Sequence, residues 1–310
     1  MTLTECFYKN QMILMEGALG ERLKREYGLQ PDPEIALASL IFEDKGKVAL
    51  REIWSQYLSI AEKYKLPFMA TTPTRRANYD RVKRSGYHKD IIAKHVADLR
   101  AIKENTDTEM YVGGLMGCKG DAYTGEGALQ TEKAREFHKW QADLFYQEKI
   151  DFLFAGIMPQ ITEAVGMAQA MSDTGIPYIM SFTIQRNGRL IDGTTIFDAI
   201  ERIDNEVSNK PLCFMTNCVH PEIALEALKQ PFNNNHVVKR RFCGIQANTS
   251  NLSYQELDQA EKLHCTEPED FADDMVKLYQ YCKMKIFGGC CGTDYRHLDC
   301  MAEKLIKEVK

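Results

Sequence analysis

The sequence has no long hydrophobic run and no excess of charge of one sign. A membrane-spanning helix needs roughly 20 consecutive apolar residues, and stretches such as IPYIMSFTI at 176–184 fall well short, so no membrane association is expected. Lys and Arg number 39 against 44 Asp and Glu, a net charge of -5 spread along the chain. Such a mixture offers no field for a polyanion, and no nucleic-acid partner is expected. The opening MTLTECFYKNQMILMEG lacks the basic start, apolar stretch and small-residue cleavage site of a secretory signal. A cytoplasmic protein is expected, in which the ten cysteines act as thiols, metal ligands or packing groups rather than as a disulfide framework. No Gly/Ser- or Pro-rich linker and no low-complexity tract interrupts the chain, so residues 1–310 are expected to form one domain.

What is present is alternation. Eight short apolar segments recur: MILMEG (12–17), LPFMATT (66–72), MYVGGLMG (110–117), DFLFAGI (151–157), IPYIMSFTI (176–184), PLCFMTNCV (211–219), FCGIQANT (242–249) and KIFGGCCG (285–292). Between them lie segments of helical period such as KVALREIWSQYLSIAEKY and PEDFADDMVKLYQYCK. Continuous apolar strands alternating with helices imply a parallel sheet buried on both faces. Eight such units in 310 residues favour an α/β closed (β/α)8 TIM barrel over an open doubly wound sheet. The stretch RRANYDRVKRSGYH after the second strand reads as a long loop overhanging the mouth.

Glu16, Thr72, Gly117, Gly156, Thr183, Asn217, Cys218, Asn248, Cys290 and Cys291 fall at or just beyond the C-terminal ends of these strands, where barrel active sites are built. Cys218 ends strand six, and Cys290 and Cys291 end strand eight. Next-but-one strands bring their tips close enough for three thiolates to meet on one zinc ion with a position left open. Gly288, Gly289 and Gly292 flank the pair and supply backbone angles that would turn both sulfurs to one point. Buried packing thiols and a vicinal disulfide are the competing readings. Cys6, Cys118, Cys213, Cys243, Cys265, Cys282 and Cys300 read as packing thiols, with Cys118 near the mouth.

GGCCGT at 288–293, NC at 217–218 and MEGALG at 15–20 resemble the homocysteine S-methyltransferase family, as do SFTIQRNGRLIDGTTIFDAI, NCVHPEIALEAL and GIQANTSNLSYQELD. The likeness spans essentially the whole chain. It implies a zinc-dependent homocysteine or thiol S-methyltransferase of methionine biosynthesis, with Cys218, Cys290 and Cys291 as Zn²⁺ ligands and catalytic residues. The substrate thiol would take the fourth position and attack an electrophilic methyl group. The partners implied are a small thiol acceptor and a methyl donor. No segment is left over for a cobalamin or folate module, and the chain ends at Lys310. These features point to a small onium donor such as S-methylmethionine or S-adenosylmethionine, or to a separate corrinoid protein. A methyltransferase component of a corrinoid-dependent system and a non-catalytic thiol- or metal-sensing barrel are the alternatives.

The family pattern holds the substrate amine between an Asp after strand one and a Glu after strand four. Here Glu16 stands at the first place and Gly156 at the second. Either Glu16 or Glu163 reaches the amine from a new direction, or the acceptor lacks an amine there. Glu163 alternatively reads as a solvated acid at a helix start. Thr72 and Thr74 keep the family's Thr-x-Thr arrangement, beside Arg75 and Arg76, whose forks suit a carboxylate if they face the mouth. Substrate contacts are thus expected from Glu16, Thr72, Thr74, Gly156, Asn217 and Asn248, with Ser250 nearby; for the asparagines and the serine, turn hydrogen bonding is the other reading.

Overall fold

All eight apolar segments form strands, trimmed at their ends, in a computed structural model that describes residues 1–251 and 266–309. The first half runs α1 (Leu3–Lys9), β1 (Ile13–Met15), α2 (Gly20–Tyr27), α3 (Asp44–Tyr64), β2 (Phe68–Thr71), α4 (Tyr79–Ser85), α5 (Ile91–Lys103), β3 (Met110–Gly117), α6 (Thr131–Gln147) and β4 (Phe152–Met158). The second half runs α7 (Ile161–Ser172), β5 (Tyr178–Phe182), α8 (Ile196–Glu206), β6 (Cys213–Val219), α9 (Pro221–Lys229), α10 (His236–Arg241), β7 (Phe242–Ala247), α11 (Pro268–Cys282), β8 (Ile286–Gly289) and α12 (Tyr295–Val309). The strands pair in parallel in sequence order, and β1 closes the ring on β8 through Ile13 with Ile286 and Leu14 with Phe287. This is a single (β/α)8 barrel. Among the described residues no helix is long and apolar enough to cross a membrane.

Both strand faces are buried, which is why the segments read as continuous apolar runs. Ile13, Met15, Met69, Phe152, Phe154, Ile179, Met215 and Ile286 fill the barrel. Leu14, Phe68, Ala70, Leu153 and Phe287 face the helices. Helix α3 meets them with a buried stripe of Leu50, Ile53, Trp54, Tyr57 and Ala61 at helical spacing. Helix α1 closes the N-terminal end of the barrel: Leu3, Cys6 and Phe7 join the interior cluster, and the Lys285 Nζ donates to the Phe7 carbonyl. The opposite, C-terminal end remains as the mouth.

The segment expected as a long loop after β2 contains a helix instead. Asn78 caps α4 by accepting the Arg81 N–H, and Gly86 ends it in the left-handed region at φ 76°. An Asn before and a Gly after a short run are recognised helix boundaries. Cys6, Cys118, Cys213, Cys243 and Cys282 are buried, and Cys300 is half-buried; Cys265 lies outside the described residues.

Candidate metal and active centre

Three sulfurs meet at the mouth. The ligand atoms of Cys218, Cys290 and Cys291 lie within 4.8 Å of one another. Cys290 Sγ and Cys291 Sγ are 4.0 Å apart, near the ~3.8 Å edge of a tetrahedron with Zn–S bonds of ~2.3 Å. Cys218 and Cys290 approach further, with Cα atoms 5.5 Å apart and their sulfurs in disulfide contact. Joined as a disulfide that pair holds no metal, and reduced it offers two thiolates at the same place. The vicinal pair Cys290 and Cys291 is not the bonded one.

The backbone that aims these sulfurs is not the one the glycines suggested. Of the three flanking glycines only Gly292 has positive φ, at 83°. Gly288 and Gly289 are needed for close packing. A Cβ on Gly288 would stand 2.8 Å from the Glu16 carbonyl oxygen, and one on Gly289 would overlap the Thr293 side chain. The unusual angle belongs to Cys218 itself, at φ 58°, and to Ile157 at φ 58°. Left-handed backbone costs a non-glycine residue about 1–2 kcal/mol. At both places the sheet register shifts, between Asn217 and Val219 in β6 and between Ala155 and Met158 in β4. Asn217 joins the two irregularities: its Oδ1 accepts the Ile157 N–H at 3.0 Å and the Ser181 hydroxyl at 2.6 Å. That carbonyl is therefore structural.

Burial and crowding push the Cys291 thiol up to about 11, with Glu21 adding to the rise and Arg75 opposing it. The residue is nevertheless open to solvent; it sits walled in by protein at an accessible mouth. At neutral pH it stays protonated unless a cation displaces the proton.

Asn248 donates its Nδ2 to the Cys218 carbonyl at 3.3 Å. Its buried Oδ1 has no partner among the described residues, an acceptor at the mouth. Ser250 is buried. Thr183, also expected at the mouth, donates to the Ala122 carbonyl.

The remaining expected substrate contacts are spent within the protein. Glu16 is 3% exposed and turns its carboxylate to Trp54 Nε1 at 2.6 Å and to the Thr71 N–H and hydroxyl. Burial raises its pKa to about 7, against the lowering effect of those three donors. Thr72 and Thr74 latch strand β3 rather than a ligand. The Leu115 N–H donates to Thr72 Oγ1, the two hydroxyls bond each other at 2.8 Å, and Thr74 Oγ1 donates to the Leu115 carbonyl. Gly156 leaves a space that Leu115 fills, since a Cβ there would stand 2.7 Å from Leu115 Cδ1. Glu163 is neither a solvated acid nor an amine ligand. It is fully buried, bonded to His138 Nε2 at 2.9 Å, and accepts the Lys119 and Leu129 N–H groups. It pins the loop after β3, a role that sequence gives no signal for beyond a His one helix away. Cys118 lies in that loop, its thiol pushed up to about 12 by burial.

A second group, His220, Glu222 and Asp274, also brings ligand atoms within 4.8 Å. Its members already have work: His220 caps α9 by accepting the Glu222 N–H, and Lys277 Nζ neutralises Asp274 at 2.7 Å. A cavity of about 400 Å³ lined by Arg51, Leu58, Ile102 and Thr106 lies on the outer helices, remote from the mouth.

Comparison with known proteins agrees with this architecture. Escherichia coli homocysteine methyltransferase MmuM superposes in its metallated form with a TM-score of 0.77 at 19% identity, covering 97% of this chain and 99% of that one. Its oxidized form gives 0.73 at 19% identity, covering 96% and 97%. No curated protein matches the sequence. The family model for homocysteine S-methyltransferase matches residues 13–305, and the chain belongs to that family.

Proposed function

We propose that this protein is a zinc-dependent S-methyltransferase that moves a methyl group from a small onium donor to a thiol acceptor, homocysteine or a related thiol. The observation that carries the reading is the gathering of Cys218, Cys290 and Cys291 at the mouth within 4.8 Å. An all-sulfur donor set suits zinc, and Cys291, open to solvent, leaves an approach for a fourth ligand. Bound Zn²⁺ supplies one thing, a lowered pKa for the incoming thiol, so that its thiolate persists at neutral pH.

The chain's own residues set the conditions for transfer. Cys218, Cys290 and Cys291 would hold the ion as three thiolates, a donor set whose charge of -3 would outweigh a dication and so would leave an incoming thiolate its electron density. That sulfur attacks the methyl carbon in line. A new carbon–sulfur bond forms as the bond to the donor's onium centre breaks, and the electron pair leaves with the donor. With the ion bound, the thiol proton would pass to solvent and no general base would be required. The left-handed turn at Cys218 and the Asn217 bonds to β4 and β5 hold the mouth rigid, and positioning is the main source of acceleration.

The test is metal content measured beside turnover. The reduced full-length chain is expected to hold about one zinc, and Cys218→Ser and Cys290→Ser to lose both zinc and methyl transfer. Undiminished methyl transfer by chelator-stripped protein overturns the reading. Stabilisation by thiols with no product for any onium donor makes the protein a sensing barrel.

A further inference from the structure

Two charged side chains bear on the mouth: Glu21, whose Oε2 accepts the Gly292 N–H at 3.0 Å and meets Arg25 at 3.3 Å, and Arg75. Arg75 and Arg76 follow one another in sequence, yet they go to different places. Arg76 bears on Glu34 and on Arg81 of α4, and Arg75 bears on Arg81 more weakly. Arg75 lies across the end of β3: a Cβ on Gly117 would stand 2.5 Å from Arg75 Cγ and 3.4 Å from its Cδ. The absence of a side chain on Gly117 is what lets Arg75 cross there. From the end of β3 its charge also reaches Cys291 and Cys118. The preceding Thr74 anchors it, with its hydroxyl bonded to the Leu115 carbonyl and its own carbonyl accepting Gln141 Nε2.

Arg75 forms no hydrogen bond or ion pair with any described residue. Asp121, which also feels its charge, already accepts three hydrogen bonds from Tyr123 and Thr124 on Oδ1. The carboxylates that would hold an ammonium group are absent or consumed. Position 156 is glycine, covered by the Leu115 methyl; Glu16 is bonded to Trp54 and Thr71; Glu163 is bonded to His138 and to the loop after β3. Asn248 Oδ1 is an acceptor at the mouth with no partner among the described residues, but it brings no charge.

We propose that Arg75 is the specificity-determining residue of the acceptor site: it binds the carboxylate of a mercapto acid whose sulfur sits opposite the three cysteines, and an α-ammonium group on that acid is not required. The proposal rests on the thiol-methyltransferase reading and names the substrate class within it. A guanidinium–carboxylate pair discriminates by charge-assisted, two-pronged hydrogen bonding, for which about ten- to a hundredfold in affinity is expected.

The experiment is calorimetric titration of the reduced, zinc-loaded full chain with three thiols: homocysteine, 4-mercaptobutanoate, which is homocysteine without its ammonium group, and 3-mercaptopropylamine, which is homocysteine without its carboxylate. We expect 4-mercaptobutanoate to bind within about threefold of homocysteine, and the amine at least about tenfold more weakly. Arg75→Ala should weaken both acids by about ten- to a hundredfold while leaving the amine within about threefold, and Arg75→Lys should recover part of the loss. The proposal is overturned if homocysteine binds about tenfold tighter than 4-mercaptobutanoate, or if Arg75→Ala weakens all three alike, as a packing role would. It is also overturned if the substitution raises the KM for the onium donor and spares the acids, which would place the carboxylate on the donor. Equal binding of the three thiols removes the Arg75 assignment and leaves the methyltransferase reading standing. If none binds, the thiol site itself fails.

Discussion

Glu16 is the buried acid whose titration should be visible in the stability of the whole protein. Its pKa is raised from 4.5 to about 7 by burial, so between those values the folded state holds a proton that the unfolded state has lost. Stability must then fall as pH rises through that window, and the full penalty is present above pH 7. A rise from 4.5 to about 7 corresponds to roughly 3 kcal/mol. Glu16→Gln cannot ionise and loses that dependence. The variant has its own fixed cost, because Trp54 Nε1, the Thr71 N–H and the Thr71 hydroxyl all point at the carboxylate, and an amide NH2 set against a donor forfeits a hydrogen bond worth about 1–3 kcal/mol. Wild type should therefore be clearly more stable than Glu16→Gln at pH 5, with the gap closing by roughly 3 kcal/mol toward pH 8. At about 2.1 cal/mol/K per residue of unfolding entropy, that change corresponds to roughly 5 °C in Tm for a chain of 310 residues. The assay is thermal and urea unfolding of both proteins at matched zinc, read as the difference between them, since the pH dependence of metal binding cancels in the subtraction. A gap that stays constant from pH 5 to 8 refutes the argument and means that Glu16 stays ionised in the folded protein.

Three further outcomes follow from the same geometry. Thr74→Val breaks the hydroxyl chain to Thr72 and the Leu115 carbonyl and should cost about 1–3 kcal/mol in urea unfolding, with Thr74→Ser recovering most of it. Asn217→Ala strands the Ile157 N–H and the Ser181 hydroxyl; a loss of roughly 2–3 kcal/mol with weaker zinc retention is expected, and zinc retention equal to wild type would mean the bulge in β6 does not depend on the one in β4. Gly156→Glu combined with Leu115→Ala clears the contact at 2.7 Å and returns a carboxylate to strand four. That double variant should favour homocysteine over 4-mercaptobutanoate by about tenfold or more in Kd, and no gain would show that position 156 does not face the acceptor.

The barrel was legible because its strands are buried on both faces: Phe152 to Met158 and Cys213 to Val219 present unbroken apolar runs that neither a helix nor a half-exposed strand would need. The three cysteines were legible because strand ends converge, and their Cα positions agree with that argument at 5.5 Å for Cys218 and Cys290. Helix α4 was also written in the chain, as Asn78 before and Gly86 after a seven-residue run, but the density of charge in RRANYDRVKR masked it as loop.

What was not legible is the distribution of polar groups between substrate and scaffold. Thr72, Thr74, Glu16 and Glu163 have the residue types and positions of ligand-binding groups, and each is satisfied by a neighbour distant in sequence: Leu115, Leu115 again, Trp54 and His138. A polar side chain at a strand end must find partners once it is buried, and whether those partners are protein or ligand depends on contacts that span 25 to 43 positions in these cases. The same reasoning explains why Arg75 matters more than its sequence context suggested. Satisfying the four internal residues removes them from the list of candidate contacts; what remains at the mouth is the Arg75 cation, the Asn248 amide oxygen, the sulfurs and a Glu21 carboxylate already bonded to the Gly292 N–H. Arg75 is complementary to an anion carrying a thiol, and an acceptor presenting only a cationic end would meet the Arg75 charge while Glu21 is already engaged by the Gly292 N–H and Arg25.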